Sequence, residues 1–119
     1  MVSSEILPLS VVIVAKNEAH NLPRCLASVQ GWVAEIVVVL NDTTDDSEIV
    51  SKKFGASVHR LPWQGYRDTK NAALALTAQP WVLSLDADEA VSPELQRSLV
   101  AFFARTDRDY FAGAHFPRK

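Results

Sequence analysis

Four short apolar, β-branched runs, at Leu9–Ala15, Glu35–Leu40, Ala56–His59 and Trp81–Leu85, alternate with longer segments of helical spacing, and this alternation limits the fold more than any other feature. Uninterrupted apolar strands are covered on both faces, as in parallel sheets flanked by helices. Strand–helix alternation then gives an α/β layered domain with right-handed crossovers. The first helical segment, 19–30, aligns Leu22, Leu26 and Val29 on one stripe and stops at Gly31. The second follows the cap-forming run Asn41-Asp42-Thr43-Thr44 and turns Ile49, Val50 and Phe54 inward. The third, Tyr66–Thr77, carries Ala72, Ala73, Leu74 and Leu76 and ends before Gln79-Pro80. The fourth opens with Ser92-Pro93-Glu94, an N-cap followed by proline and an acid, and buries Leu95, Leu99, Phe102 and Phe103. A last extended piece is expected at Tyr110–Phe116.

Length and charge narrow the functions. A chain of 119 residues supports one domain. Twelve basic against 14 acidic residues leave a net charge of −2, with no basic cluster, so nucleic acid is excluded as a partner. At 48% hydrophobic and 22% charged residues the composition is globular rather than disordered. The longest uncharged stretch, Asn71–Leu85, is too short and too polar to span a bilayer. The first residues, MVSSEILPL, lack the basic-then-apolar order of a secretory signal, so a cytoplasmic location is expected. The single cysteine, Cys25, excludes an internal disulfide and a multi-cysteine zinc site.

In parallel α/β sheets the ligand sits beyond the carboxyl ends of the strands. The residues in those places are Lys16-Asn17-Glu18, Asn41-Asp42 and Asp86-Ala87-Asp88. Asp86, Asp88 and Glu89 crowd three acids into four residues after an apolar strand. In an extended segment Asp86 and Asp88 would face one side and could share a ligand. Two carboxylates suit a hard divalent cation that completes its shell with phosphates and water. The alternative is an acidic turn before the helix at Ser92.

Taken together, the segments LSVVIVAKNEAHNLPRCLASV, EIVVVLNDTTDDS, GYRDTKNAALALTAQPWVLSLDADE and the closing HFPRK resemble, in order and spacing, the N-terminal half of an inverting family 2 glycosyltransferase with the GT-A fold. The chain is most similar there to lipopolysaccharide core-biosynthesis glycosyltransferases, which share Pro-Trp, then Lys-Asn-x-Ala-Leu, then Trp-Val-Leu-Ser-Leu-Asp-Ala-Asp-Glu. The resemblance implies a GT-A, mostly parallel sheet with flanking helices, and one domain over 1–119 forming the nucleotide-sugar-binding portion without the acceptor half. It implies that Ala15, Lys16 and Glu18 lie against the nucleotide, and that Lys70 and Asn71 face it from the third helix. Asp86 would contact the ribose or diphosphate, and Asp88 would coordinate a Mg2+ or Mn2+ ion bridging the diphosphate. The implied partners are a nucleoside-diphosphate sugar and a glycan or lipid-linked acceptor at the inner face of the cytoplasmic membrane. A second copy of the chain could cover surface that the other half would cover.

The sequence departs from the family where an acid usually follows the second strand: here stands Leu40, then Asn41 and Asp42. Either Asp42 or the Asn41 amide takes over base recognition, or that recognition is altered. No residue after Asp88 has the character of the general base that inverting transfer requires. The expectation is weak nucleotide binding without transfer, and the competing reading is a non-catalytic nucleotide-binding module. A receiver-type signalling domain does not fit, because the first strand ends in Lys16-Asn17-Glu18 and the third in His59-Arg60. A nucleotidyltransferase would need a glycine-rich loop after the first strand, and no glycine lies there. His20, His59 and His115 show no metal-ligand spacing, Cys25 is expected to be an inert buried thiol, and Asp45 and Asp46 are expected to favour the second helix's positive end. Trp63, in Pro62-Trp63-Gln64-Gly65, is either a packed loop residue or part of the donor pocket.

Overall fold

The computed structural model describes residues 6–104, so the expected strand at Tyr110–Phe116, the HFPRK segment and His115 lie outside the described residues. The elements follow in strict alternation: β1 (Leu7–Ala15), α1 (Leu22–Ala27), β2 (Val33–Leu40), α2 (Ser47–Lys53), β3 (Ser57–Arg60), α3 (Tyr66–Ala75), β4 (Trp81–Asp86) and α4 (Pro93–Ala104). The strands form one sheet in the order β3-β2-β1-β4. Every pairing is parallel: Val12 lies opposite Val37 on one side and Ser84 on the other, and Val38 opposite Val58.

The chain steps outward from β1 through β2 to β3, then returns past both to place β4 on the far side of β1. With right-handed crossovers, a reversal of direction puts the connecting helices on opposite faces. The side chains divide accordingly. Val11, Ile13, Ile36, Val38 and Leu85 pack with Leu22, Cys25, Leu26 and Val29 around α1, and with Leu99 and Phe103 of α4. Val12, Val37, Val39 and Val82 pack on Ala73 of α3, with Leu74 and Leu76 beside it. Trp81 meets Phe102 and Phe103 edge-on at centroid distances of 5.4 and 5.8 Å, which fastens α4 to the start of β4.

Three expectations shift at the helices. Pro23 sits in the first turn of α1, where its missing N–H is harmless, so regular helix starts at Leu22 rather than at residue 19. Ile49 and Leu95 are 57% and 41% exposed rather than inward. In α2 the inward positions go to the small residues Ser47 and Ser51, flanked by half-buried Val50 and Phe54.

Leu26 is fully buried, so Leu26→Ala should cost about 2–5 kcal/mol in urea unfolding. Ile49→Ala, on an exposed helix face, should stay within about 0.5 kcal/mol.

Candidate functional site

Because β2 and β4 flank β1, the loops after β1 and β4 part at its carboxyl end, the place where doubly wound sheets leave a crevice. A cavity of about 460 Å3 opens there. Six of the eight residues singled out from the sequence line it: Ala15, Lys16, Glu18, Asp42, Lys70 and Asp86. Asn71 and Asp88 are not among its lining residues. Val14, Asn41, Trp63 and Thr69 complete the wall.

The loops after β1 and β2 are clasped together by side chains, with Asn17, one of the strand-end residues, joined by Asp45 and Ser47. Asn17 and Asp42 are in the left-handed region, at φ 52° and 45°, a conformation that Asn and Asp tolerate better than most residues. The Asn17 Oδ1 accepts the backbone N–H groups of Thr44 at 2.8 Å and Asp45 at 3.2 Å. In return the Asp45 carboxylate accepts the Ala19 N–H at 3.1 Å and both the N–H and hydroxyl of Ser47, at 2.9 and 2.5 Å. The Ser47 oxygen accepts the Glu18 N–H at 3.1 Å. Asp45 thus ties the start of α2 to the loop after β1, a wider role than the dipole interaction expected of it. These bonds, the Ser47 hydroxyl foremost, hold the Asp45 carboxyl below its ordinary pKa. The charged clasp is therefore complete above the ordinary carboxylate range and is lost only as pH falls through the lowered value.

On the opposite wall β4 ends at Asp86, so the alternation expected to align Asp88 with Asp86 does not continue past it. The chain turns instead: the Asp86 N–H donates to Glu89 Oε1 at 2.8 Å, and the Glu89 N–H to the Asp86 carbonyl at 2.9 Å. From α1, Arg24 Nη2 donates to the Asp88 carbonyl at 2.6 Å, leaving the exposed Asp88 carboxylate outside that bond. The Cys25 thiol reaches the Asp86 carbonyl at 3.7 Å, and burial, followed by the charge of Glu89, pushes its pKa up to about 11. Among the described residues no group of three or more His, Cys, Asp or Glu could hold a metal ion. The exposed carboxylates of Asp86 and Asp88 thus form no all-protein cage; a cation held there would take its remaining ligands from phosphate and water.

On α3, Lys70 Nζ donates to the Ser84 hydroxyl at 2.5 Å, which anchors the ammonium beside β4. Leu40 points into the core and is 1% exposed. Asn41 is buried and its Nδ2 donates to the Leu61 carbonyl at 2.9 Å. Asp42 is exposed on the cavity wall.

The sequence model of the family described as Glycosyl transferase family 2 matches residues 10–119. An uncharacterized glycosyltransferase of Rickettsia felis is 38% identical over 103 residues, covering 87% of this chain and 36% of the relative. The lipopolysaccharide core biosynthesis glycosyltransferase LpsC of Rhizobium meliloti is 34% identical, over 85% of this chain and 39% of LpsC. The chain thus spans little more than a third of the length of each of these two relatives. Among solved structures, glucosyl-3-phosphoglycerate synthase from Mycobacterium tuberculosis, in complex with Mn2+, UDP and glucosyl-3-phosphoglycerate, superposes with a TM-score of 0.59 and 28% identity. That match covers 69% of this chain and 35% of the synthase. The parallel sheet with flanking helices is the GT-A arrangement of these neighbours.

Asp45→Ala should speed amide hydrogen exchange at Glu18 and Ala19 while leaving Val38, at the sheet centre, protected as before. Alkylation of Cys25 in the folded protein should remain slow at neutral pH and accelerate only as pH approaches about 11.

Proposed function

The chain belongs to glycosyl transferase family 2, and on that premise we propose that it forms the donor side of an enzyme that takes a sugar from a nucleoside diphosphate. The observation that carries this is the cavity at the carboxyl ends of β1 and β4, which gathers Lys16, Glu18, Asp42, Lys70 and Asp86 around one volume. Its size falls within the roughly 300–1,000 Å3 of small-molecule sites.

In the transfer, the acceptor oxygen bonds to the anomeric carbon while that carbon's bond to the diphosphate breaks, and the acceptor proton passes to a base. The leaving diphosphate gains negative charge, and preorganised positive groups lower the cost of that change. Lys16 and Lys70 supply cationic charge within the cavity. Asp86, at the end of β4, would face the ribose or the diphosphate. Asp88 would hold a Mg2+ or Mn2+ ion, which supplies Lewis-acid neutralisation of the diphosphate when bound. Ala15 and Glu18 would lie against the nucleoside, with Asp42 near the base and Asn71 facing the nucleotide from α3, although Asn71 is not among the cavity's lining residues. No residue of this chain is assigned as the base that completes inverting transfer. Similarity to LpsC supports a cell-envelope glycan such as lipopolysaccharide core as the acceptor; the acceptor would be met at the inner face of the cytoplasmic membrane. No helix among the described residues is long and apolar enough to cross a membrane. A second reading, a nucleotide-binding module without turnover, is favoured by Leu40, whose burial removes the usual acid from the site.

Calorimetric titration with UDP and GDP, with and without Mn2+, tests the proposal on the wild type and on Asp88→Asn. Cation-dependent binding that is lost in the variant is expected. No binding of either nucleotide by a well-folded sample would overturn the donor-site assignment.

A further inference from the structure

Trp63 differs from the other two tryptophans of the chain. Trp81 is buried in the aromatic cluster under α4, and the half-buried Trp32 donates its indole N–H to the Ser28 carbonyl at 3.0 Å. Trp63 is 53% exposed, yet it stands on the wall of the cavity. Among the described residues it is the one exposed large hydrophobic that does so; Ile6, Ile49, Leu95 and Val100 lie elsewhere.

The loop that presents Trp63 is pinned at both ends. On one side the Leu61 N–H donates to the Leu40 carbonyl at 3.1 Å, and the Leu61 carbonyl accepts the buried Asn41 amide. On the other side the Gln64 N–H donates at 3.1 Å to the hydroxyl of Thr69, which is itself buried in α3. Gly65, at φ 90°, makes the turn into the helix that a side chain would oppose. The backbone on either side of Trp63 is thus held beside the cavity, which limits how far the loop must be ordered when a ligand binds.

The remaining side chains of the cavity are mostly charged or hydrogen-bonding: Lys16, Glu18, Asp42, Lys70 and Asp86 suit a diphosphate and hydroxyl groups. None of them offers a flat apolar face. A nucleobase needs one, because every base has a π-face whose stacking on an aromatic ring is largely independent of its hydrogen-bonding edge. From the pinned loop and the exposed ring we infer that Trp63 is the stacking platform for the nucleobase of the bound nucleoside diphosphate. This rests on the donor-site reading above. Recognition at this site would then combine a ring contact with whatever polar edge Asp42 presents, in a chain whose position 40 is apolar.

The experiment uses the whole chain with Mn2+ and two probes: UDP, and inorganic pyrophosphate, which has no base. Trp63→Ala should weaken UDP by about tenfold, the size of one lost base–aromatic stack, and leave pyrophosphate unchanged. Trp63→Phe should restore UDP binding to within about threefold of wild type. UDP should quench wild-type tryptophan emission and should leave the emission of Trp63→Phe, which keeps Trp32 and Trp81, unaltered. Equal binding of UDP by wild type and Trp63→Ala, or equal losses for UDP and pyrophosphate, would overturn the stacking role and spare the donor site. Failure of the wild type to bind either probe would overturn the donor-site reading itself.

Discussion

The pairing of β1 on both of its edges is the interaction on which the rest of the structure depends. Its six-residue ladder to β4 and the longer one to β2 place it at the centre of the sheet, with Leu9, Val11, Val12 and Ile13 sealed from water. Strand order reverses there, and that reversal sends α1 and α2 to one face and α3 to the other. It also parts the loops at the carboxyl end. A substitution that weakened β1 would therefore disturb both cores and the cavity together.

The site inherits its precision from two kinds of tether. Ladder geometry fixes where Ala15, Asn41 and Asp86 leave the sheet, and side-chain-to-backbone bonds fix where the chain goes next. Asn17, Asp45 and Ser47 join the loops after β1 and β2. Arg24 and Cys25 join α1 to the acidic turn after β4, and Ser28 accepts the Val91 N–H at 2.9 Å just beyond it. Such bonds keep polar loops in place without burying them in the core. They also keep acidic and basic side chains on the cavity wall.

Much of this was legible in the sequence. Apolar runs marked all four strands to within about two residues at either end, and the signal was plainest for the inner strands β1 and β2, which are largely buried. The strand-end rule selected Lys16-Asn17-Glu18, Asn41-Asp42 and Asp86-Ala87-Asp88 before any packing was known; Lys16, Glu18, Asn41, Asp42 and Asp86 line one cavity, and Asn17, Ala87 and Asp88 do not. Helix faces were less legible. Leu95 and Ile49 have the spacing of core residues, yet which stripe is buried depends on the neighbouring surface, and here small serines fill the place beside Ile49. The clasp was not legible at all, since Asn17 and Asp45 are far apart in the chain and each resembles an ordinary turn residue. Asp88 illustrates a local limit: period-two alternation holds only while the strand lasts, and β4 stops at Asp86.

The central claim is that a nucleoside diphosphate binds at the carboxyl end of the sheet, between the loops after β1 and β4. Amide chemical-shift mapping by NMR during titration of the labelled chain with UDP and Mg2+ tests it most directly. The expected result is a set of shifted resonances confined to Lys16, Glu18, Asn41, Asp42, Trp63, Lys70 and the Asp86–Glu89 turn. Shifts concentrated instead at the opposite end of the sheet, around Ser10, Glu35 and Gln79, or no shifts at saturating nucleotide, would contradict it.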